Sequence, residues 1–323
     1  MNKVANEHYE WIDATKGLGI LLVIAGHTFS GYLYNAIYLF HMPMFFLIAG
    51  YLHKIENIPT FFKRKISRLI KPYAFYLSVF TFLIFAKEYL DGTLTLDNII
   101  HLIAKALFGG VTLTGWEGVF GFVTVFMISQ QLLNIMLSLF SLRSCFFINL
   151  AFLILAYIDS FYLTLKTPLG VSLALFTTPI MFIGYIFRKG EIIIPFWILL
   201  SLSLLSLVLL FFFPDKMVMD IKHTKYGLFM LGFCVALVLS LSIIDLCKNK
   251  FSQFRYFIFL GKYSLFIMFI HQFLKDVIWE RLFSNELFVY VGTVMLCSFL
   301  SFFVHLIKKK NIVSKGVLQW VIG

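Results

Sequence analysis

Residues 11–54 read WIDATKGLGILLVIAGHTFSGYLYNAIYLFHMPMFFLIAGYLHK, and this stretch decides how the rest of the chain folds. Two apolar runs, 17–33 and 37–52, are joined by a short polar and aromatic link. Each is long enough to cross the hydrocarbon of a bilayer as a helix, so the pair predicts a hairpin that enters and leaves a membrane. A purely structural hairpin needs no ionisable side chain inside it. His27 nevertheless lies within the first run and His41 near the return. Ionisable residues at membrane depth are costly and mark function. Lys16 precedes His27 by eleven residues, about three helical turns, so the two share a face roughly 16 Å apart along the axis.

The composition extends this reading to the whole chain. Of 323 residues, 60% are hydrophobic and 13% charged, and the mean hydropathy is +0.91. A soluble domain of this length carries about 25% charged residues. The expectation is an all-α, polytopic membrane helix bundle forming a single membrane-embedded domain over 1–323. The first run lacks a small-x-small cleavage site and is interrupted by His27, so it does not read as a secretory leader. Cys145, Cys234, Cys247 and Cys297 fall in or beside apolar runs without paired spacing and are read as inert thiols. No zinc pattern is visible, and no metal is expected.

Apolar windows give about ten transmembrane helices, at 17–33, 37–53, 72–90, 119–140, 145–163, 168–187, 194–213, 226–246, 256–274 and 287–307. Ten spans return both termini to one side. Placing that side in the cytoplasm puts 19 of the 27 Lys and Arg, Lys3 and Lys315 among them, in inner segments, as the positive-inside rule favours. The net charge of +11 is therefore read as topology in contact with a lipid bilayer, and no nucleic-acid partner is expected. Two connections stand out. Residues 54–71, KIENIPTFFKRKISRLIK, concentrate basic side chains ahead of Pro72. Residues 91–118 form the longest outer connection, in which 101–108 is amphipathic enough to lie on the membrane and GGVTLTGWEG suggests a re-entrant or capping loop. No internal repeat is evident.

Five stretches in this order resemble the acyltransferase 3 family of integral-membrane O-acyltransferases, in particular its bacterial sugar O-acetylase branch. IDATKGLGILLVIAGHT carries the family's basic residue, ten residues, then histidine, here Lys16 and His27. FHMPMFFLIAGYL is similar to an aromatic-Pro-Phe-Phe stretch, with Ala49 where serine is common. KRKISRLIKPY resembles an arginine-rich loop, with Lys65 replacing one arginine and Arg68 retained. LTGWEGVFGFVTVFMISQQLL resembles the fourth span, with Gly121 at a tryptophan position. LGKYSLFIMFIHQFL, ending near His271, resembles the ninth. The resemblance covers about residues 9–310. It implies transfer of an acetyl group from cytoplasmic acetyl-CoA to a sugar hydroxyl of a cell-surface polysaccharide or its precursor, in a bacterial plasma membrane.

With that context His27 is the candidate catalytic base, since imidazole titrates near neutrality and can take the alcohol proton. The structural alternative is a core histidine bonded to a helix carbonyl. Asp13, fourteen residues before it, is too distant to touch it on a straight helix and is expected to cap the first span. Some Ser, Thr, Tyr or Gln on another span would then orient His27. Lys16, Arg64, Lys65, Arg68 and Lys71 are the candidate ligands of the coenzyme A phosphates, for which arginine forks are suited. Arg64 and Arg68, four apart, are expected to point one way. The alternative for all five is ordinary inner-face topology. His41 and His271, near outer span ends, are candidates for bonding the sugar or supporting an oxyanion. Trp116 and Glu117 are candidates for stacking on the sugar and bonding its hydroxyls, with membrane-belt anchoring open for the tryptophan. Asp220, Lys225 and Tyr226 are weaker candidates. The competing function is a transporter or flippase of a lipid-linked sugar, which predicts repeats and broken helices.

Overall fold

A computed structural model describes residues 9–310 together with 316, 320 and 321; Lys3 and Lys315 of the charge count lie outside them. The chain is helical almost throughout. Among the described residues the only strands are two antiparallel pairs of residues, β1 (Met219–Asp220) and β2 (Lys225–Tyr226). The helices are α1 (Glu10–Thr28), α2 (Gly31–Tyr38), α3 (His41–Tyr51), α4 (Ile58–Leu90), α5 (Leu96–Phe108), α6 (Gly121–Leu139), α7 (Leu142–Ile158), α8 (Ala174–Lys189), α9 (Phe196–Phe212), α10 (Leu231–Leu246), α11 (Arg255–Lys262), α12 (Ser264–Leu282) and α13 (Glu286–Lys309).

Every expected span falls on a helix, but the count of ten is not reached. Among the described residues, seven helices are long and apolar enough to cross a membrane, or eight if α11 and α12 form one bent span. The two windows that fall short are α9, of only 17 residues, and α1. The first two turns of α1 carry Glu10, Asp13 and Lys16, and most of its residues from Ile12 to Gly26 are buried. Much of it is shielded by neighbouring helices, and of its charged residues Asp13 is buried.

Glycines set the two closest helix crossings. A Cβ on Gly17 would collide with the carbonyl of Phe257, and one on Gly261 with that of Asp13, so α1 and α11 meet backbone to backbone. The same reciprocity joins α3 to α8, through Gly50 against Met181 and Gly184 against Leu47. Inside a bilayer no water is gained by bringing helices together, and small residues allow the close packing that replaces the hydrophobic drive.

Three helices deviate from straight rods. In α4 a π turn at Ile66–Ile70 precedes Pro72, whose missing N–H and ring would disrupt a continuous α-helical ladder. The second expected span is stepped between α2 and α3 at Leu39 and Phe40; the Phe40 carbonyl accepts from both Met44 N and Ser240 Oγ. The ninth is bent by 82° between α11 and α12, where Tyr263 meets His305 Nδ1 at 3.0 Å. Broken helices, which the sequence did not announce, are therefore present. The connection over 91–118 does contain an amphipathic helix, α5, longer than expected. GGVTLTGWEG becomes two short 3-10 turns, with Gly109, Gly110 and Gly115 at φ of 64°, 60° and 60°, values that side-chain-bearing residues rarely adopt.

Candidate active site

The breaks in α2–α3 and α11–α12 surround a cavity of about 470 Å³. Lys16 and Leu69 line it, as do His27, His41 and Tyr38, and then Asp220, Lys222 and His223 of the loop between α9 and α10. The wall opposite the histidines comes from α6 and from Gly110, Gly115 and Gly118.

Three histidines gather around the middle. His27, in the last turn of α1, is partly exposed to the cavity. Its ring lies 5.4 Å from that of His271 and 6.3 Å, edge-on, from that of Tyr38. Tyr38 in turn packs 4.8 Å from His41 and 4.1 Å from Tyr34. His41 and His271 share a local motif. Each Nδ1 donates to the carbonyl one turn back, His41 to Ile37 at 2.9 Å and His271 to Ile267 at 3.1 Å. A carbonyl oxygen only accepts, so each Nδ1 carries the proton and each neutral ring keeps a lone pair on Nε2. That bears on the expectation for both. An oxyanion needs donors, which either ring offers from Nε2 only when that nitrogen is protonated as well. His41 lines the cavity and offers its lone pair there; His271 is fully enclosed and does not line it.

The basic candidates disperse. Lys16 reaches the cavity and is held by Asp13 at 2.7 Å. Asp13 is not a cap: α1 begins at Glu10 with Tyr9 at its N-cap, and Asp13 sits buried inside the helix. Capping fails because the helix starts three residues before the expected turn. Arg64 makes a forked pair with Glu56, at 2.7 and 3.1 Å, and lies 5.1 Å over Phe61. Lys65 covers the same ring at 5.0 Å, Lys71 lies 5.6 Å over Trp320, and Arg68 is exposed. The π turn between Arg64 and Arg68 breaks the shared face that α-helical spacing would give them, and their surroundings differ accordingly. Of the five, Lys16 alone lines the cavity.

Glu117 is 1% exposed; it accepts from Thr81 Oγ1 at 2.7 Å and pairs with Lys105 at 3.6 Å. Its carboxylate ties α4 and α5 to the glycine-rich turns. Trp116 packs edge-on to Phe273 at 5.0 Å beneath Lys87. Neither lines the cavity, although their neighbours Gly115 and Gly118 do. Tyr226 is buried and stacked 4.0 Å from Phe176, and Lys225 is exposed.

Residues that the sequence left unmarked, or ranked low, close the far end. Asp220 caps the turn Ile221–His223 and holds His223 Nδ1 at 2.7 Å. Lys222 donates to the carbonyls of Leu113 and Gly118, at 2.7 and 2.9 Å, stitching two connections together beside the cavity. Burial pulls its ammonium below the ordinary lysine range, partly offset by Asp220. The available signal was the charged run DIKHTK between two apolar spans. Tyr34, Tyr38 and Gln272 carried none, because single polar residues in apolar helices announce no partner. Among the described residues no group of three or more His, Cys, Asp or Glu is placed to hold a metal ion.

The model of an acyltransferase domain family, acyltransferase 3, matches residues 9–307. The chain belongs to the acyltransferase 3 family. It is an integral membrane protein and an acyltransferase. No curated protein and no solved structure matches it.

Proposed function

We propose that the protein carries an acetyl group from acetyl-CoA to a hydroxyl of a surface polysaccharide or its precursor, across a bacterial plasma membrane with both termini in the cytoplasm. The observation that carries this reading is one cavity bordered by Lys16, His27 and the Asp220–His223 pair. The basic residues of α4 on the chain's positive side support a cytoplasmic donor.

In this mechanism the coenzyme A phosphates lie against Lys16, Arg68 and Lys71, where charge-assisted bonds hold phosphate oxygens. The thioester arm enters the cavity beside His27 while the sugar arrives past Asp220 and His223. The lone pair of His27 takes the hydroxyl proton as the sugar oxygen attacks the thioester carbonyl. The tetrahedral oxyanion collapses, the carbon–sulfur bond breaks, and the thiolate recovers the proton from His27. The products are the acetyl ester and free coenzyme A, with nothing left on the enzyme. Among the described residues no cysteine lines the cavity, although Ser264 does; ping-pong kinetics would require an acyl-enzyme and overturn direct transfer.

The 82° break between α11 and α12 is a feature that a flippase for a lipid-linked sugar would share. Family membership favours transfer. Purified protein incubated with labelled acetyl-CoA and surface polysaccharide separates the two. Label on the glycan supports transfer, whereas movement of a lipid-linked sugar without modification supports the flippase.

A further inference from the structure

A base must present one nitrogen to its substrate, and His27 makes no hydrogen bond of its own to the protein among the described residues. Packing alone does not choose between its two tautomers. Asp13, the nearest carboxylate on α1, is engaged with Lys16 more than three turns away. Tyr38 stands edge-on to both His27 and His41, so His41 is screened.

His271 lacks nothing for the task. Its Nδ1–H is committed to Ile267, so its Nε2 is a fixed lone pair. That Nε2 is buried and has no partner, a state that is costly when left unmet. Its ring lies 5.4 Å from that of His27, a separation at which a modest ring rotation brings facing nitrogens to about 3 Å, hydrogen-bond reach. The ring does not line the cavity, so substrate is not its partner.

We infer that His271 is the positioning residue of the base: its Nε2 accepts the N–H of His27 and leaves the other nitrogen of His27 unprotonated toward the cavity. This rests on His27 acting as the base in acyl transfer. The relay is Ile267 carbonyl, His271, His27, then the sugar hydroxyl, each proton held on a stated nitrogen. As His27 gains the alcohol proton its N–H to His271 becomes charge-assisted and stronger, so the contact favours the transition state. The 82° break presents the α12 histidine to the end of α1, and so the bend has a function in transfer as well as in shape.

The test uses full-length protein with ¹⁵N-labelled histidine in bilayers, with His27 signals identified by their loss in His27→Ala. Wild type is expected to show His27 in a single neutral tautomer. His271→Leu is expected to give a mixture, and His271→Gln, whose amide oxygen accepts, to restore the single form. In parallel, His271→Leu lowers kcat at least about tenfold with KM for acetyl-CoA unchanged, while His271→Gln recovers most of it. A mixed wild-type tautomer, or a single tautomer that persists in His271→Leu, overturns the inference. Absence of transfer by wild type would sink the acyltransfer reading instead, and the spectra would still decide the pairing.

Discussion

The three histidines and the five basic residues were all site candidates in the sequence, and the fold treats them differently. His27, His41 and His271 come from α1, α3 and α12 and converge in one region, His27 and His41 on Tyr38 and His271 on His27. Lys16, Arg64, Lys65, Arg68 and Lys71 scatter to an ion pair, a shared phenylalanine face, open surface and a tryptophan. A buried polar side chain is costly without partners, so packing has to bring partners to it. An exposed charge has no such demand; membrane sidedness and a local neighbour are enough to place it. Convergence is thus the stronger sign of a common task.

That contrast can be broken or sharpened by substitution. The largest effect is expected at His27, where alanine lowers label transfer by roughly 10²–10⁴-fold while the melting temperature stays near wild type. Next come the backbone contacts that bring the histidines together. Gly261→Leu forces a side chain into the Asp13 carbonyl and is expected to abolish folded, monodisperse protein on size-exclusion chromatography. Lys222→Met leaves the Leu113 and Gly118 carbonyls without their donor. The expected cost is about 1–3 kcal/mol, read as a lower melting temperature together with a higher KM for the glycan. The smallest effects separate two arginines. Arg68→Ala is expected to raise KM for acetyl-CoA severalfold without altering the melting temperature. Arg64→Ala is expected to do the reverse, costing roughly 0.2–1 kcal/mol through its partly exposed pair with Glu56. Equal KM effects at both positions would restore the single basic patch that their spacing suggested.

Much of the fold was legible because membrane helices obey a simple rule: long apolar runs, closed backbones and basic flanks. All ten windows landed on helices. Two windows fall short of a full span where the rule weakens. The helix α1 opens on charged turns, with Asp13 buried in protein, and α9 is short. Neither break, at Phe40 or at Tyr263, falls on a proline or a glycine; both depend on partners such as Ser240 Oγ and His305 that only the fold supplies. Within the site, His27 was legible because an imidazole in an apolar run is costly to keep there without a task. The partners of Glu117 were not legible. A carboxylate beside a tryptophan in a glycine-rich loop looks available, and its ties to Thr81 and Lys105 come from separate helices. The Lys222 contacts were invisible, since they join connections more than a hundred residues apart at Leu113 and Gly118.

The central claim is that one cavity lets a donor on one side of the membrane reach an acceptor on the other through His27. The direct measurement places the protein in sealed vesicles with labelled acetyl-CoA confined to the side of the basic α4 residues and glycan confined to the opposite side. Label is predicted to appear on the glycan with wild type and to be absent with folded His27→Ala. Transfer that survives loss of His27, or that occurs only when donor and acceptor share a side, would contradict the account.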